Sequence, residues 1–108
     1  MKTSTLPRCV GAALVDRLRV MPAVVLTGAR QTGKSTLARE LVPGNRRYHS
    51  LDDLDVMDAA RRDPEALVGG TRPVTLDEVQ REPDLLRPVK RAIDAHRRPG
   101  QFLLTGSA

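Results

Sequence analysis

The stretch Gly28–Ser35, GARQTGKS, matches the spacing G-x-x-x-x-G-K-[ST] at every fixed position. That spacing suits a phosphate cradle. Gly28 and Gly33 permit backbone angles and a close approach that a side chain would block. Successive amide groups from Ala29, Arg30, Gln31 and Thr32 through to Thr36 can then converge on phosphate oxygens, aided by the positive end of a following helix. Lys34 would reach the β- and γ-phosphates, and the Ser35 hydroxyl would ligate Mg²⁺. Composition adds to the pattern, because only three of the eighteen basic residues are lysine (Lys2, Lys34 and Lys90), and one occupies the position where the loop needs it.

A second group with chemistry is Asp77-Glu78, at the end of the apolar run VTLDE. Asp77 would hold Mg²⁺ through water beside Ser35. Glu78, on the opposite side of an extended chain, would polarise an attacking water. Taken alone, the pair reads as a solvated strand end. A phosphate loop earlier in the same chain turns it into a hydrolytic set. Thr105, at the tip of QFLLT, is a candidate to touch the γ-phosphate or the water, with Ser107 as the alternate. An ordinary strand-end turn accounts equally well for these two. Neither a D-x-x-G switch nor an N-K-x-D guanine reader occurs, so ATP is the expected nucleotide rather than GTP.

These residues need strands and helices to place them. Ala23–Thr27, Arg46–Leu51, Pro73–Asp77 and Gln101–Thr105 read as strands, the second more polar than the rest. Continuous apolar runs of this kind belong where both sheet faces are covered. Leu14 and Leu18 follow Val10 at helical spacing, and Leu37 and Leu41 share a face of a helix over 34–42. Asp52–Arg62 reads as a helix. Asp63 would cap a second short piece with Pro64 at its first position. Pro83 opens a further helix through Ile93, which Pro88 should kink or restart. The regular alternation predicts βα units in a parallel sheet, an α/β three-layer fold forming one domain over 1–108.

Composition limits the alternatives. With 108 residues, 40% of them apolar, a single core is affordable, and it must be aliphatic because Tyr48 and Phe102 are the only aromatic residues. Cys9 is the only cysteine, so no internal disulfide forms, which fits a reducing cytoplasm. Asp16, Arg17 and Arg19 interrupt the apolar patch at Val10–Val15, leaving no signal peptide or membrane span. The net charge of +5 permits a nucleic-acid partner. Against it, the arginines are scattered among acidic residues and stacking aromatics are nearly lacking.

In order along the chain stand LTGARQTGKSTLARELV, SLDD, RRDPEAL, LDEVQREPDLLRPVKRAID and FLLTGSA. Over about residues 6–108 this resembles the N-terminal core of a family of prokaryotic AAA-like P-loop ATPases. Members of that family typically carry a C-terminal domain of unknown function with a nuclease-like fold. The resemblance implies a P-loop NTPase core with strand order 1-4-3-2, the final strand lying between the loop strand and the carboxylate strand. Gly28 to Ser35, Asp77, Glu78 and Thr105 carry over by position. Family members continue past the LTGSA segment, with a fifth strand beside strand one, so the resemblance implies a core truncated after its fourth strand. AVVLT would then be an exposed apolar edge, open to self-association or to a partner chain. An arginine finger, which speeds phosphoryl transfer by orders of magnitude, would have to come from elsewhere. Three readings remain open on sequence. They are an ATP-binding domain with Mg²⁺-dependent hydrolysis, a nucleotide-binding remnant without turnover, and a small basic nucleic-acid-binding module.

Overall fold

Three apolar runs and one more polar segment become four parallel strands in the computed structural model, which describes residues 13–28 and 46–107. They are β1 (Ala23–Gly28), β2 (Arg47–Ser50), β3 (Val74–Asp77) and β4 (Phe102–Ser107). Their order across the sheet is β1-β4-β3-β2, and every neighbouring pair is parallel. The α/β class and the 1-4-3-2 order expected of a P-loop NTPase core are both present. Most strand ends shift by one or two residues from the reading of the sequence, and two of the shifts show their cause. β2 begins at Arg47, whose N–H starts the ladder on Pro73 O at 2.8 Å. Arg46 instead spends its guanidinium on Thr75 Oγ1 (3.0 Å), Gly100 O (2.5 Å) and Val74 O (3.0 Å). β4 runs on to Ser107, because Gly106 and Ser107 continue the pairing with Thr27 and Gly28.

The helices follow from caps and prolines. A first helix, α1, covers residues 13–18. The next, α2 (Leu54–Arg62), starts later than Asp52 because Asp53 takes the cap, accepting the Asp55 N–H at 2.8 Å. Asp63 closes α2 and caps α3 (Pro64–Val68) through the Ala66 N–H at 3.2 Å, with Pro64 in the first turn as expected. The segment opened by Pro83 is two pieces, a 3₁₀ turn at Pro83–Leu85 and then α4 (Leu86–Ala95). Pro88 lies in the first turn of α4, where an N–H has no partner within the helix, so it restarts the helix and does not kink it. After α4, Gly100 adopts φ 70°. A Cβ there would sit 3.0 Å from Leu18 O, so the turn into β4 calls for glycine.

Period-two alternation sorts the strand side chains onto two faces. Val74, Leu76, Phe102 and Leu104 pack with Leu51, Ala60, Leu67, Val68, Leu85 and Val89 beneath α2, α3 and α4. Leu103 packs with Leu14 and Leu18 of α1, flanked by Val24 and Leu26. Helices thus cover both faces, giving three layers. Among the described strands β1 is an edge, and its Val25 is 62% exposed. No described helix is long and apolar enough to cross a membrane.

At the other edge, His49 on β2 lines a cavity of about 300 Å³ together with Arg47, Arg62 and Asp63. Burial, and after it the charge of Arg47, push the imidazole below its usual 6.5. The fold therefore favours neutral His49, and the unfolded chain takes up this proton first as the pH falls. The resulting stabilisation is complete above 6.5 and is lost as the pH drops below it toward the lowered native value. Melting temperatures taken at about pH 7.5 and about pH 5.5 are expected to fall further for the parent than for His49→Gln. Equal falls would show that His49 has no part in the acid sensitivity.

Candidate nucleotide and metal site

Two carboxylates are buried at the C-terminal end of β3. Asp77 is 3% exposed and Glu78 is 2% exposed. Carboxylates removed from water in this way need donors. The pairing of Val74 with Phe102 and of Leu76 with Leu104 brings Thr105 of β4 level with Asp77 one step on. Thr105, 0% exposed, donates its hydroxyl to Asp77 Oδ1 and accepts the Glu78 N–H at 3.1 Å. On the other side, Tyr48 of β2 sits opposite Thr75. Thr75 and Asp77 share a sheet face, so the ring reaches along that face and its hydroxyl donates to Asp77 Oδ2 at 2.5 Å. Three strands converge on one carboxylate.

Glu78 departs from the extended conformation that the sequence reading gave it. Its backbone is left-handed, φ 58° and ψ 45°, the only non-glycine positive φ among the described residues. The chain breaks out of β3 there and enters a 3₁₀ turn at Val79–Arg81. A non-glycine residue in this region costs on the order of 1–3 kcal/mol, and it persists where the surroundings hold it. Here the Thr105 hydroxyl holds the Glu78 N–H, and Gln80 Nε2 donates to Glu78 Oε1 at 2.7 Å. Neither Tyr48 nor Gln80 was singled out from sequence. The available signals were weak: an isolated tyrosine in a polar strand, and a glutamine two residues past a carboxylate pair.

The remaining candidates divide. Gly28 ends β1, and its backbone pairs with Ser107 of β4. The chain leaving β1 therefore starts at the same end of the sheet as Asp77 and Glu78, one strand beyond Thr105. Ala29, Arg30, Gln31, Thr32, Gly33, Lys34, Ser35 and Thr36 lie outside the described residues. A divalent cation is compatible with Asp77 in a particular way. Both oxygens already accept a hydroxyl, yet an ionised carboxylate offers about four lone-pair sites. What remains suits a contact through water better than a place in a closed protein cage. Among the described residues no group of three or more histidine, cysteine or acidic side chains is placed to hold a metal.

Comparison with known proteins places this arrangement in a family. The model of an AAA domain family matches residues 21–108, and the chain belongs to that family. Two relatives share 41% identity over 103 residues, the uncharacterized protein Mb2031c of Mycobacterium bovis and the uncharacterized protein Rv2008c of Mycobacterium tuberculosis. The match covers 94% of this chain, and the chain spans 23% of the length of each relative. No solved structure matches.

The shared hydroxyl of Thr105 yields a direct test. Thr105→Val keeps the shape and removes the group, leaving a buried N–H and a buried carboxylate oxygen without it. The expected cost is about 1–3 kcal/mol in denaturant unfolding, and Thr105→Ser should recover most of it. A valine variant as stable as the parent would show that the hydroxyl does not tie the Asp77 carboxylate to the Glu78 backbone N–H.

Proposed function

Proceeding from membership in the AAA domain family, we propose that this chain binds ATP with Mg²⁺ and hydrolyses it to ADP and phosphate. The observation that carries the reading is the placement of Asp77 and Glu78. Both are buried at the C-terminal end of β3, and β4 alone separates them from the end of β1, where GARQTGKS begins. Ligands of open parallel sheets bind outside the carboxyl ends of the strands.

In this proposal the loop amides and Lys34 bind the phosphates, and Ser35 supplies a hydroxyl to the cation. Asp77 meets the cation through water, in keeping with the two hydroxyl donors that already fix its carboxylate. The bound Mg²⁺ supplies positive charge against the phosphate oxygens. Glu78 accepts a proton from the attacking water and orients it toward the γ-phosphate. Tyr48 and Thr105 act on Asp77 and keep its oxygens aimed as the nucleotide arrives.

A thermal melt with and without Mg²⁺-ATP tests the reading. Ligand at a hundred times its Kd stabilises the folded form by about 2.7 kcal/mol, which for a domain of this size is a rise on the order of 10 °C. The parent should show the rise and Lys34→Ala should not. Glu78→Gln should keep it while losing turnover by about 10²-fold or more. A parent that melts at the same temperature with and without the nucleotide would overturn nucleotide binding. Unchanged turnover in Glu78→Gln would remove Glu78 from the chemistry.

A further inference from the structure

Gln80 is exposed, yet its side chain is placed. Its Nε2 donates to the buried Glu78 at 2.7 Å. The other end of the same amide lies over β4, and a Cβ added to Gly106 would sit 3.0 Å from Gln80 Oε1. Gly106 in turn pairs with Thr27, beside the last residue of β1. One amide therefore spans from the carboxylate to the strand that separates β3 from the phosphate-loop strand.

Local backbone makes this reach achievable. The left-handed Glu78 and the 3₁₀ turn after it, closed by Arg81 N–H on Glu78 O at 3.1 Å, fold the side chain of Gln80 back over its neighbour two residues earlier. Gly106 leaves the space that the amide occupies. Ordering a long exposed side chain costs rotamer entropy, so a glutamine fixed at a surface wants a reason, and the buried carboxylate beneath it supplies one.

We propose that Gln80 is a positioning residue for Glu78, its side-chain amide braced over Gly106 and holding the carboxylate in the orientation that faces the attacking water. This rests on the hydrolytic reading above. Gln80 touches neither phosphate nor water in this proposal and acts through Glu78. A carboxylate freed from that hold samples other rotamers, so the chemical step slows while nucleotide affinity stays as it was.

Two measurements on the whole chain decide it. The first is solvent exchange of the Gln80 side-chain amide protons, followed by NMR on ¹⁵N-labelled protein without nucleotide. One proton is expected to exchange at least fivefold more slowly than glutamine in an unstructured peptide. The second is steady-state ATP hydrolysis. Gln80→Ala and Gln80→Glu are expected to lower kcat tenfold or more with KM for ATP within twofold of the parent. Gly106→Ala, which crowds the amide and leaves Gln80 itself in place, should lower kcat in the same direction. An unprotected amide, an unchanged kcat, or a fall in kcat matched by an equal change in KM would each overturn the proposal. A parent that binds Mg²⁺-ATP without turning it over would overturn the hydrolytic reading instead, and amide protection alone would then decide whether Gln80 holds Glu78.

Discussion

Two adjacent carboxylates buried at one end of a sheet set the terms for the rest of this structure. Asp77 and Glu78 are 3% and 2% exposed, and burial of charge is tolerated only where donors are supplied. The strand order provides them. With β4 inserted between β1 and β3, Thr105 stands beside Asp77 and can also receive the Glu78 N–H. With β2 on the outer side, Tyr48 reaches the second Asp77 oxygen. An order that placed β1 directly against β3 would lose the Thr105 contacts and leave a carboxylate and an amide at the sheet end without them.

The opposite end of the sheet carries the reverse charge. Arg46 passes beneath β3 and binds three neutral oxygens, from Thr75, Gly100 and Val74, with burial pushing its guanidinium below the usual arginine range. It joins the start of β3 to the turn that leads into β4. Gly100 completes that turn, its N–H on Met21 O at 2.8 Å just ahead of β1. The N-terminal ends of three strands are thereby fixed relative to one another by hydrogen bonds. Between the two ends the buried side chains of β3 and β4 are mostly apolar, with Leu76, Phe102 and Leu103 all fully buried. Polar clamps at both ends and an apolar middle hold the register that lines up Asp77 with Thr105.

What could be read from sequence divides along physical lines. β3 and β4 announce themselves because strands covered on both faces must be continuously apolar, and β1 through its run of aliphatic and β-branched residues. The caps at Asp63-Pro64 are legible because a cap is a local interaction among neighbouring residues. Asp77 is legible as the end of such a strand. The strand order is another matter, since periodicity carries no information on which strands are neighbours, and 1-4-3-2 came from the family resemblance. Glu78 was read as extended because no local rule sends a glutamate into the left-handed region. Its conformation depends on Thr105 and Gln80, the first of them 27 residues away in the chain. Tyr48 was passed over for the same reason, its partner being 29 residues distant. The loop residues from Ala29 to Thr36 were the clearest motif in the sequence and lie outside the described residues.

In the proposed function, nucleotide and cation meet at the C-terminal ends of β1, β3 and β4. Paramagnetic relaxation with Mn²⁺-ATP in place of Mg²⁺-ATP reads that location directly, because the two cations prefer the same oxygen ligands and the sheet is about 20 Å from end to end. The backbone amide signals of Thr27, Gly28, Asp77, Glu78 and Thr105 are expected to broaden most, with broadening falling along each strand toward Met21, Val74, Gly100 and Gln101. Broadening centred on Gly100 and Gln101, or none at either end, would rule out a nucleotide site at the C-terminal ends of these strands.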